Sequence, residues 1–542
     1  MKMLNIKKLI ALVLSVSLLL GIAATSASAD EGVMLISDEV SAEALESESA
    51  AAADESTTLP EASEESTDAP AATPSDIAPR RISVVVNGDA KSSKGITWFT
   101  TADTSSVVEI KTILGESVNA TITYADVIEF EGSLVHKATV TGLAAGTVYK
   151  YRVGNGTLFS DWGTFVTDNG DDKVNFIAIA DIQASNLENF TKGAETIEAA
   201  YATMPTAEFM VNLGDFTNDS TNEEWDLYDQ AMYKINLNST LVPISGNHDG
   251  LGVWDWFNNM FNLDTSESVQ NLNGVNYSFD YGNAHFAVLN TNDLLSVSFA
   301  QLTWLKNDMN GTDKDWKIVL MHKSPYSLGK DAKWPDALYL QRSLTSVLDS
   351  CGVDLVMSGH DHQYLRTKAI KNGKANEDGT VYVLAGTAGT KRYEVRSFLA
   401  NHFLDTDLID ALVIQKHGYA NYWDGQDWDQ TNQAYIGGCF NTISIDGGKL
   451  TFDSYILADL AEDAPADAER IITKSDSFTL EKATGQNKIT FTGDNTTSEA
   501  EYYLGVVPSF LGLAAYALGE WLPKFLFMVP DLLSVVINEG TF

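Results

Sequence analysis

Polar side chains that can bind metal ions recur at the ends of apolar runs in the middle of the chain. Asp181 ends the run "VNFIAIAD", and Asp215 ends "EFMVNLGD". Asn247, His248 and Asp249 follow the third run, "TLVPISG". A carboxylate, an amide and an imidazole in this setting can bind a metal ion, and an imidazole can also transfer a proton.

Further imidazoles follow two later apolar runs. His322 ends "WKIVLMH", and His360 and His362 follow "VDLVMSG", so four of the eight His in the chain lie at such ends. Each residue alone has an ordinary alternative, such as a turn for Asp215 or a core position for His322. The repetition at five run ends instead favours one shared site.

The donor types at these ends indicate which ions the site would bind. Carboxylate and amide oxygens together with imidazole nitrogens suit Zn, Mn, Fe and Co. There are more candidate ligands than one ion needs. Two ions that share a bridging carboxylate would use them fully, and such a pair activates water for in-line displacement.

The elements that must position these residues form two patterns. Residues 172–482 alternate continuous apolar runs with segments of helical period, which predicts a layered α/β domain with ligands at the carboxyl ends of its strands. Residues 81–168 instead carry short alternating runs, which predict a small all-β sandwich with Trp98 in its core. Its stretch "LAAGTVYKYRVG" resembles the corner of a fibronectin type III domain, with Leu143 beneath it and Tyr149 reaching back to the backbone.

Five ordered blocks carry a family resemblance. The stretches "ADIQ", "NLGDFTND", "SGNHDG", "LMHKSPY" and "SGHDHQY" resemble the motifs of the calcineurin-like metallophosphoesterases. The preceding β-sandwich makes the chain most similar to the purple acid phosphatase branch, and the resemblance covers residues 81 to about 455. It implies an αββα sandwich for the larger domain.

The resemblance also implies residue roles. The ligand set would comprise Asp215 as the bridge, Asp181 and His362 on the first ion, and Asn247, His322 and His360 on the second. His248 would protonate the leaving group, and Asp249 would orient His248. The implied reaction is the hydrolysis of phosphomonoesters by a metal-activated hydroxide, with His248 as the proton donor.

The chain departs from the family pattern at two positions. Many members have His two residues after the first Asp, where this chain has Gln183. Gln183 can bind the first ion, contact metal-bound water, or bond its own backbone as a loop residue. The purple branch has Tyr three residues after the bridging Asp, where this chain has Asn218, so we expect no iron–tyrosinate colour.

Substrate recognition is less sharply indicated. Lys330 and Lys333 follow the fourth block and are candidates for phosphate binding, although loop lysines are commonly solvated. The aromatic run at 253–261 fits a packed helix better than a pocket lip. After another strand, Lys391 or Arg392 would be able to reach the site.

Two other functions remain open from the sequence. A phosphodiesterase or nucleotidase would use the same metals. A binding module at the cell surface, with a site degenerate at Gln183 and Asn218, would bind without turnover.

The remaining segments concern location and partners. Residues 1–29 have the order of a secretory signal peptide, and residues 30–80 read as an acidic disordered linker. We therefore expect a secreted protein, either free or associated with the cell surface. The chain has 35 basic and 74 acidic residues, a net charge of −39, which disfavours nucleic acid as a stable partner.

Residues 483–542 are apolar and of unknown role, and 503–538 would be able to contact a membrane surface or a protein. Cys351 and Cys439 are expected to be unpaired thiols.

Overall fold

The computed structural model describes part of the chain. It covers residues 75–249, 255–269, 275–292, 299–329, 337, 339–393, 406–415, 420–423, 428–434, 437–460 and 468–482. The predictions for the signal peptide, most of the acidic linker, Lys330, Lys333 and the apolar segment 483–542 lie outside these residues.

The first large sheet contains strands from both ends of the described chain. Its members are β1 (Arg80–Val85), β2 (Lys94–Thr100), β4 (Thr121–Tyr124), β5 (Ile128–Phe130), β6 (Ser133–Thr141), β9 (Lys173–Ile179), β10 (Phe209–Asn212), β11 (Thr240–Pro243), β23 (Gly437–Asp446), β24 (Lys449–Ala458) and β25 (Ile472–Glu481). Their order is β25-β24-β23-β9-β10-β11-β1-β2-β6-β4, with β5 also paired to β6. Strands β9, β10, β11 and β1 run parallel to one another.

The second large sheet lies entirely in the larger domain. Its members are β12 (Tyr277–Tyr281), β13 (Ala284–Leu289), β14 (Trp316–Met321), β15 (Leu355–Ser358), β16 (Tyr364–Thr367), β19 (Val381–Ala385), β20 (Ile409–Gln415), β21 (Ala420–Trp423) and β22 (Trp428–Ala434). The order is β12-β13-β14-β15-β19-β16-β20-β21-β22, and β13, β14, β15 and β19 are parallel. A short hairpin joins β17 (Ile370–Lys371) and β18 (Lys374–Ala375).

Helices cover the outer faces of both sheets. They are α1 (Leu187–Thr203), α2 (Asn222–Leu237), α3 (Trp256–Met260), α4 (Phe299–Gly311) and α5 (Thr345–Cys351), with a π turn at Leu340–Leu344 and a 3-10 turn at Thr406–Leu408. The Asn186 side chain caps α1 by accepting from Asn189 N, and Thr221 caps α2 in the same way from Glu224 N. Such caps satisfy N–H groups that the first helical turn leaves without partners.

Three apolar clusters explain the layers. One lies between the two sheets, where Phe176, Phe209 and Phe286 pack together. A second joins α1, α2 and α3 to the outer face of the first sheet, and a third joins α4 and α5 to the second sheet. The predicted αββα sandwich is confirmed.

The preceding all-β domain is also confirmed. A three-stranded sheet of β3 (Val107–Thr112), β7 (Val148–Gly154) and β8 (Gly163–Val166) packs on strands β1, β2 and β6. Trp98 is fully buried between them, and Leu143 lies in the same cluster. The Tyr149 hydroxyl accepts a hydrogen bond from Ala144 N at 2.8 Å, as the sequence predicts.

The two domains share one sheet, which the sequence did not indicate. Strand β1 of the all-β domain pairs in parallel with β11, so that Val84 lies opposite Thr240. This pairing continues the first large sheet from one domain into the other. The smaller domain is therefore built onto the framework that carries the candidate site.

Cys351 and Cys439 are both buried and form no disulfide, as expected. Among the helices that the structure describes, none is long and apolar enough to cross a membrane.

Candidate metal centre

The predicted ligands meet because the parallel strands of both sheets end at one edge of the sandwich. In the first sheet, β9, β10 and β11 are neighbours and lead to Asp181, Asp215 and Asn247. In the second sheet, β14 and β15 are neighbours and lead to His322 and His360. Carboxyl ends of parallel strands are where α/β sheets gather their ligands.

Two groups of side chains have the composition of a metal site. Asp215, His322 and His360 form one group, and Asp181, Asp215 and His362 form the other. In each group the candidate ligand atoms lie within 4.8 Å of one another. Because Asp215 belongs to both groups, its carboxylate is placed to bridge two ions.

Backbone carbonyls orient the imidazoles of this site. His322 Nδ1 lies 2.8 Å from Leu213 O, which directs Nε2 toward Asn247 Oδ1 at 3.0 Å and Asp215 Oδ1 at 3.3 Å. His362 Nδ1 bonds Lys391 O, and its Nε2 lies 3.6 Å from Asp181 Oδ1. A carbonyl partner on one ring nitrogen fixes the tautomer and leaves the other nitrogen free to bind a metal.

Several of these residues have a left-handed backbone. The φ angles are 54° for Asp181, 59° for Asp215, 77° for His360 and 51° for His362. Non-glycine residues in this region cost of order 1–3 kcal/mol each and persist where the surroundings enforce them. The sharp reversals turn the side chains back into the shared space between strand ends.

A glycine in the third block allows two of these loops to touch. A Cβ on Gly246 would lie 2.1 Å from Asp215 N and 2.2 Å from Asp215 Oδ1. No side chain fits there, so the glycine before Asn247 is required by the close approach of the two strand ends.

Burial makes the electrostatics of this cluster unfavourable without cations. It raises the pKa of Asp181 well above its usual range, and it lowers the pKa of His360 and, to about 3, that of His362. Burial would also raise the pKa of Asp215, but the nearby imidazole of His322 brings it below the ordinary value. His360 and His362 are thus held neutral, as metal ligands must be, whereas at His322 burial is outweighed by Asp215 and Asp181, which raise the pKa of that imidazole to about 9. Bound cations would displace the proton on His322 and the one that burial favours on Asp181. The donor set therefore fits two cations.

His248 lies beside these groups, and its partner differs from the predicted one. Its Nδ1 bonds the backbone oxygen of Asn218, which leaves Nε2 pointing into the site. The prediction that Asp249 orients the His248 ring is wrong. The buried Asp249 carboxylate instead accepts three backbone N–H groups, from Asp215 at 2.9 Å, Phe216 at 2.7 Å and Gly246 at 2.7 Å.

The binding of Asp249 to backbone N–H groups has a physical reason. A carboxylate is a stronger acceptor than a carbonyl, and the two loops that Asp249 joins would otherwise bury several N–H groups without partners. Asp249 therefore fixes the backbone that presents Asp215. The partner of His248 was missed because a backbone oxygen leaves no sign in the sequence.

Gln183, one of the two positions at which the chain departs from the family pattern, has a buried side chain. Its amide is satisfied when the nitrogen donates to Asp215 Oδ2 at 3.0 Å and the oxygen accepts from Lys391 Nζ at 3.1 Å and His248 Nε2 at 3.2 Å. The opposite orientation sets its oxygen against the carboxylate, which is favourable only with a cation between them. Gln183 thus faces the site and is not a plain loop residue.

The sequence offered three other candidates for the site, namely Lys391, Arg392 and the aromatic run at 253–261. Lys391 reaches the site, where its Nζ also lies 3.4 Å from Asn218 Oδ1. Arg392 pairs with Asp459 at 2.8 Å instead. The described part of the aromatic run is packed rather than open, because Trp256 is buried and stacks on Trp225.

Comparisons with known proteins agree with this geometry. A family model described as the calcineurin-like phosphoesterase matches residues 174–364. A second model, described as the purple acid phosphatase N-terminal domain, matches residues 79–167. The two matches together span most of the described chain.

Curated relatives carry the same family name at low identity. The chain is 24% identical to purple acid phosphatase 18 of Arabidopsis thaliana over 346 residues, which are 60% of this chain and 74% of that protein. It is 25% identical to purple acid phosphatase 22 of the same plant, over 50% of this chain and 62% of that protein.

Solved structures share the fold. A purple acid phosphatase from yellow lupin (Lupinus luteus) seeds superposes with a TM-score of 0.54 at 16% identity, covering 74% of each chain. The structure of PhoD superposes with a TM-score of 0.52 at 11% identity, covering 80% of this chain and 98% of that one. Members of this superfamily use a dinuclear metal centre. The chain therefore contains a calcineurin-like metallophosphoesterase domain preceded by a purple acid phosphatase N-terminal domain, which supports a metal-dependent phosphoric ester hydrolase.

Proposed function

We propose that this protein is an exported phosphatase that hydrolyses phosphomonoesters at a dinuclear metal centre. One observation carries the proposal. Two carboxylate–imidazole groups share Asp215, and the Nε2 of His248 points into the space beside them. Export is supported by the order of charge, apolar core and small residues within 1–29.

Each candidate ligand has an assigned place in this proposal. Asp181 and His362 would hold the first ion, Asn247, His322 and His360 would hold the second, and Asp215 would bridge them. Gln183 lies beside this set with its amide nitrogen 3.0 Å from Asp215 Oδ2, and it would have to turn its oxygen toward that carboxylate to join the ligands of the first ion. The short distances from His322 Nε2 to Asn247 Oδ1 and to Asp215 Oδ1 support the ligand set of the second ion most directly.

The chain's own residues supply positioning and proton transfer. When bound, the cations activate water and neutralise charge on the phosphoryl oxygens. Asn218 O holds the His248 ring by Nδ1, so that Nε2 faces the site and would give its proton to the leaving-group oxygen. Asp249 fixes the backbone of Asp215 and Gly246, and through them the spacing of the two strand ends. A positioned imidazolium contributes about 10²- to 10⁴-fold to such a reaction.

The test is an activity panel on the full chain with metal content measured on the same sample. Phenyl phosphate, a nucleoside monophosphate and a bis-aryl diester are compared after loading with Mn, Zn, Fe or Co. We expect release of phosphate from the monoesters and far slower cleavage of the diester. The Asp215→Asn variant should lose both metal and turnover.

Other outcomes would each reject part of the proposal. A preference for the diester would make the protein a phosphodiesterase on the same residues. The absence of turnover with every metal, in a protein that binds two ions, would favour a binding module. Full activity in a double variant of Asp215→Asn and His248→Ala would reject the site itself.

A further inference from the structure

Three residues that depart from the family pattern, or lie outside it, form one polar cluster beside the candidate metal centre. Gln183, Asn218 and Lys391 come from three separate strand ends, after β9, β10 and β19. Lys391 Nζ lies 3.1 Å from the Gln183 amide oxygen and 3.4 Å from Asn218 Oδ1. We call these three residues the ammonium seat.

The ammonium seat adjoins the reacting groups of the proposed function. The same Gln183 oxygen lies 3.2 Å from His248 Nε2, and the Gln183 nitrogen lies 3.0 Å from Asp215 Oδ2. The Lys391 ammonium is therefore one amide group away from both the bridging carboxylate and the imidazole. A phosphoryl group between the ions and His248 would lie beside this positive charge.

The segment that carries Lys391 is held firmly against the site. Thr387 Oγ1 donates to Asp181 O at 2.7 Å, and Ala388 N donates to Ala180 O at 2.8 Å. A Cβ on Gly389 would lie 2.8 Å from Asp181 O, so the backbones touch. Tyr393 stacks on His362 with ring centroids 4.2 Å apart. These contacts fix where the Lys391 side chain begins.

Charge and exposure together suggest a ligand for this ammonium. Lys391 is partly exposed, whereas Gln183 is buried, so Lys391 lies on the solvent side of this cluster. The chain as a whole carries a net charge of −39, which repels a phosphate dianion. A fixed cation beside the site opposes that repulsion locally.

We propose that Lys391 is a substrate-binding residue that donates to a non-bridging phosphoryl oxygen and selects dianionic monoesters over monoanionic diesters. The inference rests on the proposed function, because it assumes that phosphate esters react at this centre. Gln183 and Asn218 orient the ammonium through their side-chain oxygens. A diester lacks one of the charged oxygens that the lysine would recognise.

The experiment compares Lys391→Met and Lys391→Arg with wild-type protein. Lys368→Met is the matched control, since Lys368 is an exposed lysine that bonds Asp407 O. Orthophosphate binding to the Mn-loaded protein is measured by titration calorimetry, and metal content by elemental analysis. KM and kcat are then measured for phenyl phosphate and for its bis-aryl diester.

The expected result is a weaker phosphate complex with an intact metal centre. Loss of one charged hydrogen bond should weaken orthophosphate binding about 10- to 100-fold in Lys391→Met. The KM for the monoester should rise by a similar factor while the diester is little affected. Lys391→Arg should recover part of the binding, and Lys368→Met should behave as wild type.

Three results would overturn the inference. A gain of a bound ion in Lys391→Met would mean that the ammonium occupies a metal position. A loss of bound metal without a direct effect on phosphate would make Lys391 a support of the centre. Unchanged orthophosphate binding would remove its role as a ligand. Because orthophosphate binding needs no turnover, failure of the proposed activity would be seen separately.

Discussion

Replacement of Asp249 by Asn is expected to destabilise the metal-free protein, although Asp249 contacts neither candidate ions nor the His248 ring. The buried carboxylate accepts from Phe216 N on Oδ1 and from Asp215 N and Gly246 N on Oδ2. An asparagine has one oxygen and one NH₂ group. At least one of the three N–H groups must then face another donor.

The magnitude follows from the hydrogen bonds that change. In the better orientation the amide oxygen keeps Asp215 N and Gly246 N, and Phe216 N loses its acceptor. A hydrogen bond to a charged group contributes about 1.5–3 kcal/mol, and an unsatisfied buried donor costs about 1–3 kcal/mol. We expect a loss of about 2–4 kcal/mol in the free energy of unfolding.

Burial, and then the neighbouring Asp215, raise the pKa of Asp249 to about 7, so the charged carboxylate is compared at about pH 9. Urea unfolding at that pH in the presence of EDTA measures this change without metal. His248→Ala is the control, because it removes the ring and leaves the three backbone contacts in place. Asp249→Asn should lower the urea midpoint and weaken metal binding, whereas His248→Ala should change neither by much. If Asp249→Asn matched wild type in EDTA and lost only turnover, the assignment of Asp249 to the backbone would be refuted.

Three further predictions concern single side chains. His248→Ala should reduce kcat by about 10²-fold or more for phenyl phosphate and by less for a dinitrophenyl ester, whose leaving group needs no proton; equal losses would contradict a proton donor. Burial opposes charge on His285, but Asp280 and Asp308, each 2.8 Å away, raise its pKa to about 9. The resulting stabilisation, about 3 kcal/mol, is complete below about pH 6.5 and is lost as the pH rises through 9, so His285→Gln should flatten the pH dependence of urea unfolding. Burial lowers the pKa of Lys94 to about 7, and its Nζ has no hydrogen-bond partner among the described residues; Lys94→Met should raise stability by about 1–4 kcal/mol near pH 6, with the gain fading toward pH 10.

Much of the site could be predicted because the ends of buried strands can be recognised in a sequence. Apolar runs that stop at Asp181, Asp215 and His322 place those residues at the carboxyl ends of buried strands, and the parallel sheets bring such ends together. The layered fold follows from the same alternation of runs and helical segments. Local pattern was sufficient for these features.

Other features depend on contacts between distant residues and left no local sign. The pairing of Val84 with Thr240 joins two domains across a long stretch of chain, and neither strand alone indicates it. The left-handed φ of His360 arises from the loops that surround it. The correction at Asp249 has the same origin, since its three partners are backbone groups brought together by folding.

The number of metal ions bound per chain tests the central claim most directly. Native mass spectrometry of the Mn-loaded full chain should show two ions. His362→Ala should leave one, since that residue belongs to the first group alone, and Asp215→Asn should lose both because both groups share it. A wild-type protein that binds at most one ion at saturating metal, or an Asp215→Asn variant that keeps two, would contradict the account.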